Sequence, residues 1–331
     1  MKKKILIIGS NSFSGSNFAD YLIGKNSNVI GVSRSNEINK IFLKYKYNKY
    51  SKNFIFYKID INKNLNKLIN LIKKEKPNII INFAAQGMVA ESWTNPSDWY
   101  LTNFLSMTKL VEKIKDLKFI KKFIQFTTPE VYGDKKYLIK ENFNFRPSTP
   151  YALSRASFDF HLKNLCNVCG FPVIFTRAAN VYGPHQQLYR IIPKFIISAK
   201  KNKKFFLDGM GKTNRSFIHI ADVNRALYKI IYKGKVGETY HISTNHFNNL
   251  EQLVNQICFL LKIKNKSFLK LLKSDRIGKD KSYRLSSNKI RLKLKWKDEI
   301  SLKDGIVDTI NWINTNYKTI KKLSLKYRHK K

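Results

Sequence analysis

The run Lys4-Ile5-Leu6-Ile7-Ile8 is wholly apolar apart from its first residue and breaks at once into a Gly/Ser/Asn turn. Such a run predicts a strand buried on both faces of a parallel sheet. Five more short apolar runs follow, at Val29–Val32, Phe54–Tyr57, Ile79–Ile81, Phe123–Phe126 and Val173–Phe175. Between them the pattern is helical: through Phe18, Tyr21 and Leu22, over an amphipathic stretch from Asn64 to Lys74, over Asp98 to Ile114, and from Pro150 to about Cys166. Strands alternating with helices of this length specify a parallel sheet with helices on both faces.

The fold class expected is therefore α/β, a Rossmann-type doubly wound parallel sheet. After Asn180 the rhythm changes, with Pro184, Pro193 and a Gly209-Met210-Gly211 turn, and from about Leu250 the pattern is mainly helical. We expect residues 1–180, with a returning segment at about 213–245, to form the dinucleotide-binding domain. Residues 181–212 and 246–331 would form a smaller, mainly helical C-terminal substrate lobe over the sheet's carboxyl edge, where ligands bind in such folds.

Charge raises a different class of partner. Lys and Arg number 63 against 22 Asp and Glu, a formal +41, which points to nucleic acid or an anionic membrane. The excess is mostly Lys, however, and it is spread along the chain in stretches such as Lys200-Lys201-Asn202-Lys203-Lys204. Dispersed point charges give no base readout, so no specific nucleic-acid partner is expected. A positive surface would still draw in anionic small substrates. No run of 18 apolar residues provides a membrane span. Cys166 and Cys169 form a lone C-x-x-C with no second pair to complete a metal site. We expect reduced thiols, no metal and a cytoplasmic location.

The turn Gly9-Ser10-Asn11-Ser12-Phe13-Ser14-Gly15 lies between the first strand and the first helix. Backbone amides there can cradle a pyrophosphate. Gly9, Ser12, Phe13 and Gly15 are the candidate contacts, with Ser12 standing where a third glycine is usual. At the end of the second strand, Ser33-Arg34-Ser35 replaces the acid that would take a ribose 2′-hydroxyl. A guanidinium there suits a 2′-phosphate, so the cofactor is NADP or NAD with NADP favoured from Arg34. Asp60 and Ile61 after the third strand, and Ala84 and Ala85 after the fourth, are further candidate cofactor contacts.

Thr128 and Glu130 follow the fifth strand, and Tyr151 and Arg155 stand four apart on one helix face. A tyrosine whose pKa is lowered by a cation can act as general base toward a sugar hydroxyl. Thr128 could share that hydroxyl's hydrogen bond, and Glu130 could take a proton from the carbon beside the new ketone. Thr128, Glu130, Tyr151 and Arg155 are the candidate catalytic residues.

Several segments together carry a resemblance: Asn82-Phe83-Ala84-Ala85, Thr127-Thr128-Pro129-Glu130-Val131-Tyr132-Gly133, Pro147 to Tyr151, Arg177 to Pro184, Arg215 to His219 with Asp222, and Asp275 to Asp280. The chain resembles, over nearly its whole length, the extended short-chain dehydrogenase/reductases of the nucleotide-sugar epimerase/dehydratase family. It is most similar to the sugar-nucleotide 4,6-dehydratases of the dTDP-glucose or GDP-mannose type. The resemblance implies substrate contacts at Gln86, Asn180, Arg215 and Arg276, a nucleotide-diphosphate sugar as substrate, and a homodimer through the helices that begin near Asp98 and Tyr151. Two departures stand out. Arg155 replaces the family lysine, and Pro129 replaces the aspartate of the dTDP-glucose branch, as the GDP-mannose branch also does without. The activity implied is oxidation at C4, water elimination across C5–C6 and hydride return to C6. The alternatives are a nucleotide-sugar 4-epimerase, a uronate decarboxylase, or a degenerate nucleotide-binding module without catalysis.

Overall fold

Ile5 and Ile7 face one side of the first strand and Leu6 and Ile8 the other, and all four are buried. That is the arrangement of a central strand covered on both faces. The computed structural model describes residues 4–264, 266–274, 278, 280 and 282–329.

The strands in chain order are β1 (Lys4–Ile8), β2 (Asn28–Ser33), β3 (Phe54–Lys58), β4 (Ile79–Asn82), β5 (Lys122–Thr127), the two-residue β6 (Leu138–Ile139), β7 (Val173–Ala178), β8 (Asn180–Tyr182), β9 (Phe205–Leu207), β10 (Asn214–Arg215), β11 (Phe217–His219) and β12 (Thr239–Ile242). Seven of them form one parallel sheet in the order β12-β7-β5-β4-β1-β2-β3. The winding direction reverses between β1 and β4, and the crevice at their carboxyl ends is where a doubly wound sheet binds ligand. All six strands read from the sequence lie in this sheet. β12 gives no comparable signal, because Thr239 and His241 interrupt its apolar pattern. Both are buried, and His241 Nε2 meets the Tyr132 hydroxyl at 2.8 Å, so tertiary hydrogen bonds stabilise polar residues in an interior strand.

The principal helices are α1 (Phe13–Gly24), α2 (Leu65–Glu75), α3 (Pro96–Tyr100), α4 (Ser106–Ile114), α5 (Pro150–Cys169), α6 (Ile191–Lys200), α7 (Ile220–Lys233), α8 (Leu250–Leu260), α9 (Asn288–Leu294), α10 (Leu302–Thr315) and α11 (Tyr317–Ile320). Ile5 and Ile7 share a core with α1, α7 and α9, while Leu6 and Ile8 share one with α2, α4 and α5. A third core joins α6, α8 and α10. The helix expected over Asp98–Ile114 is instead three pieces: α3, a π-turn over Leu101–Leu105, and α4. It opens at Pro96, where the missing N–H costs no hydrogen bond. The long helix opens at Pro150 as expected, capped by the Thr149 hydroxyl, which accepts from the Ala152 N–H at 3.2 Å.

Candidate active site

Gly9 has φ +89°, and a Cβ on it would stand 2.6 Å from the Ala84 nitrogen. Only glycine lets the β1 turn lie this close to the end of β4. The turn is stitched to β2 as well: Gly9 N–H donates to Val32 O at 2.7 Å, and Asn11 N–H to the Ser33 hydroxyl at 2.9 Å. Ser12 caps α1, its hydroxyl accepting from the Gly15 N–H at 3.0 Å. A Cβ on Gly15 would sit 2.4 Å from Gly9 O, so Gly15 supports the turn from behind. These residues build an amide-lined helix N-terminus at the switch point, suited to a pyrophosphate.

A cavity of about 790 Å³ starts at this turn. Gly9, Ser12, Phe13, Arg34, Asp60, Ile61, Ala84 and Ala85 line one part; Gln86, Thr128, Glu130, Tyr151 and Arg155 line the middle; Asn180 and Arg215 lie beyond. Of the residues singled out from sequence, Gly15 is not at the wall, and Arg276 lies outside the described residues.

Thr128 caps the short 3-10 turn Pro129–Tyr132, accepting from the Glu130 N–H at 3.4 Å. The same threonine faces Tyr151 across the cavity wall and favours its phenolate. The Tyr151 pKa departs from the sequence expectation. Burial pushes it up and the Glu130 carboxylate adds to the rise, while Arg155, Thr128 and Arg190 pull down. With this chain's groups alone the first two win, because desolvation penalises the phenolate more than one cation repays.

Arg155 is buried and donates to Ala84 O at 3.4 Å and to Phe126 O. Its Nε finds no hydrogen-bond partner among the described residues. Beneath it runs a buried polar chain. Asn82 Nδ2 donates to Gln125 Oε1 at 2.9 Å, Gln125 Nε2 to Asp159 at 3.3 Å, and Asp159 pairs with Arg177 at 2.9 Å. Asn82 Oδ1 also accepts from the Ala84 N–H, so the chain fixes the carbonyl edge that holds Arg155.

The π-turn serves the same site. It turns Asn103 inward, where Oδ1 accepts from the Gln86 N–H at 2.7 Å and Nδ2 donates to Gln86 O and to the Ser154 hydroxyl. Extra helical turns of this kind commonly mark functional positions.

The Glu130 carboxyl is held above its usual range by burial, against the pull of Arg215 and Arg190. Tyr283, buried, donates to Glu130 Oε1 at 3.3 Å and to Asn180 Oδ1 at 2.8 Å. The Arg215 guanidinium lies over the Tyr283 ring at 4.3 Å and donates to Asp280 O at 2.7 Å. Tyr283 and Arg190 are site residues without a sequence signal. Tyr283 stands just before the two-residue strand Arg284–Leu285 and Arg190 just before α6, neither in a periodic stretch, and 153 residues separate Tyr283 from the carboxyl it contacts. Among the described residues, no cluster of three or more His, Cys, Asp or Glu side chains could hold a metal, and no helix is long and apolar enough to cross a membrane.

Known proteins share this fold. The family model described as GDP-mannose 4,6 dehydratase matches residues 6–309. The dTDP-D-glucose 4,6-dehydratase of Homo sapiens is 34% identical over 75% of this chain and 71% of its own length. The dTDP-glucose 4,6-dehydratase of Haemophilus influenzae is 29% identical over 93% of this chain and 97% of its own. The crystal structure of dTDP-glucose 4,6-dehydratase from Bacillus anthracis, in complex with NAD, superposes with a TM-score of 0.85 at 28% identity, covering 96% of this chain and 98% of that one.

Proposed function

Because the chain belongs to the GDP-mannose 4,6 dehydratase family, we propose that it is a nucleotide-sugar 4,6-dehydratase yielding a 4-keto-6-deoxy sugar. The observation that carries this reading is Glu130: a half-buried carboxyl in the cavity wall whose pKa desolvation raises, beside the Tyr151–Thr128 pair. A 4-epimerase has no step that uses it.

The Gly9 turn and the unpartnered Arg155 Nε suit a nicotinamide dinucleotide laid along the cleft, with Asp60 and Ile61 toward the adenosine and Arg155 toward the nicotinamide ribose. When bound there, the dinucleotide would supply a hydride acceptor for C4 and a hydride donor for C6. Tyr151 accepts the 4-hydroxyl proton while Thr128 holds that oxygen in line. Arg155 favours the phenolate that must form. Glu130 removes the C5 proton and passes a proton to the departing C6 hydroxyl, which leaves as water. A proton equal to the one taken by Tyr151 is restored at C5, so the sum is loss of one water. A single group acting as base and then acid works best with a pKa moved toward the working pH, the direction in which burial moves Glu130. Tyr283 keeps the carboxyl aimed, and Arg215 meets the diphosphate.

For the adenosine ribose we propose that Arg34 admits NADP alongside NAD. Arg34 lines the cleft at the end of β2, where a guanidinium suits a 2′-phosphate. Arg34→Ala should weaken NADP about tenfold while leaving NAD nearly unchanged. We further propose a homodimer. Tyr100, Leu101 and Leu105 are exposed on the α3–α4 segment, and Leu153 and Phe160 on the neighbouring α5. Leu105→Glu with Leu153→Glu should halve the mass seen in light scattering.

The deciding experiment incubates the purified protein with dTDP-, GDP-, CDP- and UDP-sugars without added reductant and reads the products by mass. Loss of one water identifies the dehydratase and its substrate. Unchanged mass with inverted C4 would overturn the reading in favour of epimerisation.

A further inference from the structure

The segment 324–329 contributes Tyr327 and Arg328 to the cavity wall, and no motif singles it out. It leaves α11 with Leu323 and Leu325 packed on the third core and reaches across to the opposite side of the cleft. Tyr327 and Arg328 line the cavity there. Gln86 Nε2 contacts the Tyr327 hydroxyl at 2.9 Å and His329 Nδ1 at 2.7 Å, so both amide hydrogens are engaged. An accepting Nδ1 puts the imidazole proton on Nε2, and Nε2 meets Asp98 Oδ2 at 2.6 Å. The His329 ring stacks on Trp99, centroids 4.9 Å apart and 9° from parallel. Tyr327 also packs edge-on against Tyr189 at 5.3 Å. Burial, with Tyr189 and Glu91, pushes its phenol up to about 12, against the pull of Arg34 and Arg190.

We propose that segment 324–329 is a clasp over the dinucleotide, with Tyr327 and Arg328 as binding residues facing it, Gln86 as the catch, and His329 latched on Trp99 and Asp98. This rests on the reading of the cleft as a dinucleotide site. It also suits a cycle that gives back the hydrogen it takes, since the dinucleotide then has no need to leave between turnovers. The contacts bridge the α11 side of the cleft to the loop after β4 and to α3, so release of a ligand lying along the cleft requires them to break. The two Gln86 hydrogen bonds, the His329–Asp98 contact and the stacked pair must all break for the segment to lift, which slows release tenfold or more.

The test is stopped-flow release of NADH, and in parallel NADPH, chased with excess oxidised dinucleotide and followed by nicotinamide fluorescence. His329→Ala with Tyr327→Phe should accelerate release at least tenfold, and Asp98→Asn, which unlatches the clasp from the other side, several-fold. Lys326→Ala, on the exposed side, should change nothing. Thermal melts check that each variant is folded, and Asp98→Asn leaves the segment itself intact. Release within twofold of the parent in both the double variant and Asp98→Asn overturns the clasp alone. Failure of NADH and NADPH to bind even the parent overturns the clasp together with the reading of the cleft.

Discussion

Replacing Glu130 by Gln removes one proton-transfer group and almost no volume. Pro129 precedes it, so in the mechanism we propose both the C5 deprotonation and the protonation of the leaving hydroxyl rest on one carboxyl. A single positioned acid or base is worth about 10²–10⁴-fold. Two sequential roles place the expected loss in kcat near the upper end, ~10⁴-fold or about 5.4 kcal/mol of barrier at 1.36 kcal/mol per decade. The amide retains an acceptor for Tyr283, whose hydroxyl also remains bonded to Asn180, so KM for the nucleotide sugar should stay within about threefold. Stability should move the other way. Desolvation is the largest influence on the Glu130 carboxyl, so the buried charge disfavours folding above its unfolded pKa. A folded-state pKa raised above the unfolded one makes stability greatest below the unfolded value and lowers it as pH rises through the folded value. The neutral amide abolishes that decline, and melts at pH 8 should show the variant no less stable than the parent. The assay is single-turnover loss of water by mass, with the substrate identified first. A variant that dehydrates within tenfold of the parent rate refutes the role given to Glu130; one that fails to fold refutes the energetic reasoning.

The Asp159–Arg177 pair is wholly buried, with the guanidinium about 5 Å from the rings of Tyr132, Phe143 and Phe145. Arg177→Met leaves the buried Asp159 carboxyl without its ion-pair partner, and urea unfolding should report a loss of about 3–5 kcal/mol, whereas Arg177→Met with Asp159→Leu should recover most of it. Recovery absent in the double variant would mean that the polar chain through Gln125, not the ion pair, sets the cost. His219 is buried and its pKa is lowered to about 4, chiefly by burial. The folded state therefore holds fewer protons than the unfolded one between about pH 4 and 6.5, so stability rises with pH across that window and falls on acidification, by at most about 3 kcal/mol. His219→Asn, which keeps an acceptor for the Ala221 N–H now met by Nδ1, should flatten that part of a stability-versus-pH curve. An unchanged slope would assign the acid sensitivity to other groups such as His241. Tyr151→Phe should retain dinucleotide binding while lowering kcat by at least 10²-fold; a smaller loss, read from initial rates, would remove Tyr151 as the base.

The sheet was legible in the sequence wherever burial on both faces demanded unbroken apolar runs, as in Ile5–Ile8 and Ile79–Ile81. The turn at Gly9 and the residues at the strand ends were legible for a related reason: a strand, a turn and a helix N-terminus are consecutive in the chain, so their chemistry is local. Thr128, Glu130, Tyr151 and Arg155 belong to this class, since each lies at the end of β5 or the start of α5. What the sequence left silent depends on contacts between distant segments. β12 is polar in pattern because Tyr132, Glu141 and the backbone near Ser286 satisfy His241 from three other places in the chain. The π-turn has no propensity signal; packing of Asn103 between Gln86 and Ser154 selects it. Tyr283 and segment 324–329 reach the cleft only after the helical region beyond Leu250 has folded back over the sheet. The sign of the Tyr151 shift was tertiary too, because a sequence shows which cation is four residues away but not how much water is excluded around it. Periodicity and local turns thus determined the scaffold and half the site, and desolvation and long-range hydrogen bonds decided the rest.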